Sequence, residues 1–250
     1  MQAYLTLTRR ELGSLFVSIT GYIIIAGAVF LLGLSFVDLL DLLQGEATPA
    51  PVTQLFYSTG YFWEILLLAA PVITMRLFAL EKSSGTFETL MTTPVSDLQV
   101  VLAKFSAAMV FYMLMWLPSL LCILILRHYV SRTDVFDPGL IASTFLGILL
   151  LGGLFMSLGC FASSLTGSQI VAAMISFVLG YTLFLLSYLP GHLPLASGWQ
   201  AALVAHVALF DHMNDFARGV VDTRHVVFYV TVTGLFLFLT LRVVESRRWK

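Results

Sequence analysis

Charge is scarce in this chain. Only 11% of its 250 residues are Asp, Glu, Lys or Arg, whereas a soluble domain carries about 25%. With 59% hydrophobic residues and a mean hydropathy of +0.94, one globule cannot hide its apolar surface from water, which excludes an ordinary soluble domain. Basic runs are equally short: none exceeds Arg9-Arg10 or Arg247-Arg248, and the formal net charge is -1. Nucleic-acid binding needs a broad positive footprint, so that class is excluded too. Cysteine is nearly absent. Cys122 and Cys160 both lie in apolar segments, where a small polarizable side chain packs well, and neither has the spacing or His neighbours of a metal or disulfide site. The chain also lacks a Gly-rich phosphate loop ending in Gly-Lys-Ser/Thr, a His-Glu-x-x-His pair and a Gly-x-Ser-x-Gly elbow. We therefore expect no enzyme activity, catalytic residue, cofactor or metal of its own.

What the chain does have is long apolar runs. A helix needs roughly 17 to 25 mostly apolar residues to cross the hydrocarbon, and six windows qualify: 16–37, 56–78, 101–126, 140–165, 169–189 and 226–244. A shorter run, 201–210, follows Pro190 and Pro194 and suits a re-entrant or interfacial helix. Residues 1–15 mix Tyr4, Leu5, Leu7, Leu12 and Leu15 with Thr6, Thr8, Arg9, Arg10 and Glu11, the pattern of an amphipathic helix on a membrane surface. A cleaved signal peptide is not expected, because the charges come late and the next apolar run is too long. The expected fold is all-α and integral to the membrane, a single domain over 1–250.

Orientation follows from the flanking positive charges. With both termini inside, Arg9, Arg10, Arg76, Lys82, Lys104, Arg242, Arg247, Arg248 and Lys250 fall on the cytoplasmic side. Only Arg127, Arg132, Arg218 and Arg224 fall outside, and the first outer loop holds Asp38, Asp41 and Glu46 without any Lys or Arg. Positive charge marks the cytoplasmic side, so an N-in, C-in, six-span topology is expected.

The most informative stretch lies between the second and third spans, from Arg76 through Glu81, Lys82, Gly85, Thr86, Phe87, Glu88, Leu90 and Met91 to Pro94, Val95 and Ser96. Gly85 or Thr86 can start a short helix, Phe87, Leu90 and Met91 share one face, and Pro94 stops it. Ser96 with Gln99 forms a capping-box pattern, and Val95 with Val100 a hydrophobic staple, at the start of the third span. The pattern alone leaves two readings open, a helix resting on lipid head groups or one docking on a protein.

These residues resemble the coupling loop of ABC-2 type exporter permeases, in which an acidic residue precedes Gly-Thr, an acidic residue, Leu and Pro-Val-Ser. Glu81, Gly85, Thr86, Glu88, Leu90, Pro94, Val95 and Ser96 match those places. Phe161 to Thr166, the run from Gln169, Asp215 to Asp222 and Glu245 to Trp249 resemble the subgroup linked to gliding motility and copper-enzyme maturation. The resemblance implies the transmembrane half of an exporter in a bacterial inner membrane, built like a type V ABC exporter. Its parts would be an elbow helix (1–15), a coupling helix (84–94, with Thr86 to Thr93 at its centre) and outer helices within 196–218, split as Ser197 to Phe210 and His212 to Arg218. Two halves, identical or homologous, would join two copies of a separate ATPase subunit that binds the ATP, and an extracytoplasmic accessory protein is a further implied partner. Glu81, Gly85, Thr86, Phe87, Glu88, Leu90, Met91 and Pro94 would carry the ATPase coupling, with Phe87, Leu90 and Met91 inserting into a cleft of that subunit.

Other polar residues read less sharply. Glu64, near the outer end of the second span, is either an interface-paired carboxylate or part of a translocation path; a charge at mid-membrane costs roughly 2.5–3.5 kcal/mol. His206, Asp211, His212 and Asp215 lack a diagnostic metal spacing; Asp211 reads as a helix N-cap, and His212 with Asp215 as an exposed face. On the fourth span Gly153, Ser157 and Ser164, beside Gly152, Gly159 and Ser163, read as a close-packing surface. Pro71 and Pro118 would loosen the second and third spans. An ion-driven transporter would show internal repeats or charged broken helices, which this sequence lacks. A membrane anchor for a surface or assembly machine differs from a transporter only by assay.

Overall fold

The computed structural model describes residues 2–43, 53, 54, 57, 59–87, 95–129, 137–188 and 206–248. Among them the regular structure is entirely helical: α1 (Gln2–Val17), α2 (Ile19–Leu43), α3 (Gly60–Thr74), α4 (Ala79–Ser83), α5 (Asp97–Tyr129), α6 (Pro138–Leu165), α7 (Gln169–Tyr188), α8 (Leu209–Ala217) and α9 (Thr223–Arg248). Six stretches are long and apolar enough to cross a membrane: Ile19–Leu42, Gly60–Ser83, Asp97–His128, Pro138–Leu165, Gln169–Tyr188 and Thr223–Ser246.

α6 is the central post, packed against α3, α5, α7, α8 and α9. It starts where Asp137 caps it, Oδ1 accepting from the Gly139 N–H at 2.9 Å, with Pro138 in the first turn. Its glycines let neighbours touch its backbone. A Cβ on Gly152 would lie 2.1 Å from the Tyr112 ring of α5, and one on Gly159 2.0 Å from Thr74 Oγ1 of α3. Gly152 and Gly159 are thus close-packing positions, as small residues are between helices in lipid.

The first span begins later than its apolar run. Phe16 and Val17 belong to α1; the chain breaks at Ser18, and α2 then runs to Leu43, past the expected end at Val37. The Ser18 carbonyl accepts from the Gly21 N–H at 2.9 Å, and only a glycine fits at 21, since a Cβ there would meet the Leu15 carbonyl oxygen at 2.1 Å. Hydropathy runs straight through this corner and could not mark it.

α1 carries the expected amphipathic pattern, but its inward face lies along α5 of its own chain. Tyr4 OH donates to Ser106 Oγ at 2.7 Å, and the Phe16 and Phe111 rings lie 5.0 Å apart. Leu5 and Val17 point outward, 63% and 82% exposed.

At the opposite end of the bundle α8 is one helix spanning the expected break at Asp211. Its N-cap is Ala208, so Asp211 sits inside the first turn and is not the cap. Leu209, His212, Met213, Phe216 and Ala217 make one continuous buried stripe, and that helical period overrides the capping preference of an isolated Asp. The expected outer-helix residues 196–205 lie outside the described residues.

Candidate coupling site

At the end of the bundle where α1 lies, the stretch from Met75 to Phe87 is held from three sides. α3 ends at Thr74, its last carbonyls taken up by turns such as Met75 N–H to Pro71 O at 2.9 Å. The chain then turns at residues 75–78 beside the C-terminal end of α6. There Ser163 Oγ accepts from both the Phe78 and Ala79 N–H groups at 3.1 Å and donates to the Met75 carbonyl at 3.1 Å. One buried hydroxyl therefore satisfies three backbone groups of a turn whose helix hydrogen bonds are interrupted. Lys82 Nζ donates to the Ser164 carbonyl, and Arg76 donates to Ser18 Oγ and to Thr20 Oγ1 at the α1–α2 corner.

The third side is a charge cluster. Lys104, 1% exposed within α5, places Nζ 3.0 Å from Glu81 Oε1 of α4 and 3.1 Å from Glu11 Oε1 of α1. Arg10 Nη2 closes the ring at 2.7 Å from Glu11 and 2.9 Å from Glu81. Two cations and two carboxylates compensate one another where either sign alone would be costly to bury. Hydrogen bonding to Glu11, reinforced by the fields of Glu11 and Glu81, holds the Arg10 guanidinium above its usual range despite partial burial. Lys104 approaches both carboxylates without directed hydrogen-bond geometry and leans 5.4 Å from the Phe78 ring centroid, so its contribution is chiefly Coulombic.

Of the expected coupling residues, Glu81 joins this cluster. Gly85 adopts φ +73°, a left-handed conformation natural to glycine, and Thr86 and Phe87 are helical beyond it. Phe87 is 7% exposed and turned into the chain's own core, with Lys82 Nζ 5.4 Å from its ring centroid. Its side chain is therefore not presented outward. Glu88, Leu90, Met91 and Pro94 lie outside the described residues. Ser96 Oγ accepts from the Gln99 N–H at 3.4 Å; Val100 is buried in the core, and Val95 is partly buried against that core. Glu64 stands apart, exposed on α3 one turn from its start, with Tyr61 between it and Asp38.

Sequence reading missed Arg10, Glu11, Lys104 and Ser163. A signal existed for two of them. Glu11 falls on the apolar face of α1 with Leu7, Leu12 and Leu15, and Lys104 is a lone charge in an apolar span; buried ionisable residues require partners.

His212 does not form an exposed face with Asp215: it is 3% exposed. Its ring lies 3.9 Å from that of His225 of α9, its Nδ1 has no hydrogen-bond partner among the described residues, and His225 Nε2 contacts Asp215 Oδ2 at 3.1 Å. Burial, then the nearby His225 ring, pushes the His212 imidazole down to about 4. Among the described residues no group of three or more His, Cys, Asp or Glu is placed to hold a metal ion.

Six helices long and apolar enough to cross a membrane, with a braced turn following the second, define a multi-pass membrane protein. The profile of the family described as "ABC-2 family transporter protein" matches residues 61–218, more than half of the chain and everything from α3 through α8. The chain belongs to that family and is a permease component of an ABC transporter, a class of permease that works with an ABC ATPase. No curated protein matches the chain.

Proposed function

We propose that this permease couples ATP hydrolysis by a separate ATPase subunit to export, or to mechanical work, through residues 76–96. The observation that carries the reading is the Arg10–Glu11–Glu81–Lys104 cluster, which ties that segment at once to α1 and α5. A force applied to a loop moves a span only if the loop is rigidly joined to it, and here the join is ionic, centred on buried Lys104 and backed by Ser163. In this reading α1 is the elbow helix and Leu90 and Met91 offer the apolar contact to the ATPase. Phe87 anchors the segment from within. Two permease chains and two ATPase copies assemble in a bacterial inner membrane, N-in and C-in. The ATP chemistry is assigned to the partner, and the family resemblance favours the gliding-motility and copper-enzyme-maturation subgroup.

Affinity purification of the tagged chain from native membranes, followed by ATPase assay, tests this. A P-loop ATPase is expected at equal stoichiometry, lost with Leu90→Asp. Glu81→Gln is expected to keep the complex while abolishing the permease's effect on hydrolysis rate. Repeated recovery of the chain without any ATPase would refute the reading and favour a membrane anchor.

A further inference from the structure

At the α8 end of the bundle a cavity of about 340 Å³ opens between the start of α3 and α8, lined in part by Gln54, Tyr57, Trp63, Phe210, Asp211 and Asn214. Its size is at the lower end of the range of small-molecule sites, about 300–1,000 Å³. Its walls are aromatic and firm: the Trp63 and Phe210 rings lie 4.4 Å apart, and Trp63 also packs on Phe184 at 5.7 Å. Tyr57 and Trp63 are 3% and 5% exposed, so they are set by the core behind them and would not need ordering by a ligand.

Among the described residues the charge of the lining has one sign. Asp211 is exposed, and among the described residues it makes no salt bridge and is the only charged side chain lining the cavity. The Gln54 amide donates from Nε2 to Asn214 Oδ1 at 2.8 Å, which leaves the Gln54 carbonyl oxygen able to accept. Aromatic faces carry negative potential and attract cations, and the carboxylate adds a full charge. An anion would be repelled by Asp211, and a simple metal ion would find one carboxylate and no cluster to hold it.

We propose that this cavity binds a small organic cation, an alkyl- or arylammonium, with Asp211 as counter-ion and Trp63, Phe210 and Tyr57 as aromatic walls. The inference rests on the lining alone and stands whether or not the coupling reading does. Asp211 also has a structural use, as an acid in the first turn of α8 facing the helix dipole, so binding and stability must be read separately.

The test uses the full chain in a maltoside detergent free of choline head groups, with benzyltrimethylammonium as probe and benzyl alcohol and benzoate as neutral and anionic counterparts. Binding is read by calorimetry and tryptophan fluorescence, and melting temperature is recorded for each variant. The cation is expected to bind saturably, with a change in tryptophan emission, and at least about fivefold more tightly than either counterpart. Asp211→Asn should remove that preference, Asp211→Glu should keep it, and Asp41→Asn, outside the cavity, should not affect it. Equal affinity for benzyl alcohol, unchanged binding in Asp211→Asn, or absence of saturable binding would overturn the proposal. So would a loss of binding that merely follows a fall in melting temperature.

Discussion

Lys104 Nζ of α5 lies 3.0 Å from Glu81 Oε1 of α4, with the lysine side chain 2% exposed and the glutamate 16%. The contact joins the loop after the second span to the start of the third. Lys104→Met, close in shape and without charge, leaves two carboxylates with only the half-exposed Arg10. Removing one partner of a buried pair costs about 3–5 kcal/mol. Lys104→Met is expected to lower stability by that order. The double variant Lys104→Met/Glu81→Gln should be less damaged than the sum of the single changes, as coupled neighbours are. Thermal melts of the four proteins in detergent measure the coupling; strict additivity would dissolve the cluster as a unit.

Ser163 is expected to matter through three backbone groups. Ser163→Ala removes the acceptor for the Phe78 and Ala79 N–H groups, and each buried unmet donor costs about 1–3 kcal/mol. Hydrogen exchange should rise selectively over residues 75–83, with α6 itself unchanged. Ser163→Thr, which retains the hydroxyl, should restore protection if the added methyl is accommodated.

Glycines on α6 offer an internally controlled pair. Gly152→Ala drives a Cβ to 2.1 Å from the buried Tyr112 ring, whereas Gly153→Ala meets nothing closer than Thr233 Oγ1 at 3.5 Å. Overpacking costs typically about 1–3 kcal/mol, so a clear fall in melting temperature is expected for the first and little change for the second. Equal effects would mean that helix propensity, and not contact, governs the site.

Acid should loosen the α8–α9 contact. Burial lowers His212 to about 4, against an ordinary 6.5, so between those values the unfolded chain binds more protons than the folded one. The stabilisation is therefore complete above about pH 6.5, is lost as pH falls toward 4, and amounts to at most about 3 kcal/mol. Melting temperature measured from pH 7 to 4 should fall more steeply for the native chain than for His212→Phe, which cannot titrate. Identical slopes would remove His212 from the account.

The apolar spans were legible one by one because hydropathy is a property of consecutive residues, and a membrane span needs nothing else. Membership of the ABC-2 family was legible in part from the order Glu81, Gly85, Thr86, Glu88, Leu90, Pro94. Local chemistry misled at Asp211, where a good capping residue lies inside a helix because the stripe from Leu209 to Ala217 continues through it. It misled again at His212, a polar type whose burial comes from α9.

Composition and periodicity by themselves determined that this protein is helical and has about six helices able to cross a membrane. Tertiary structure alone decided what residues 75–87 are fastened to. Arg10 and Glu81 stand 71 positions apart, and Ser163 meets Ala79 across 84. A helix's sequence fixes which face is polar, but which distant face it meets depends on how all the helices pack together. Interior packing admits few solutions and is felt to a single methylene, and here it set a lone lysine of one span between the carboxylates of two other helices.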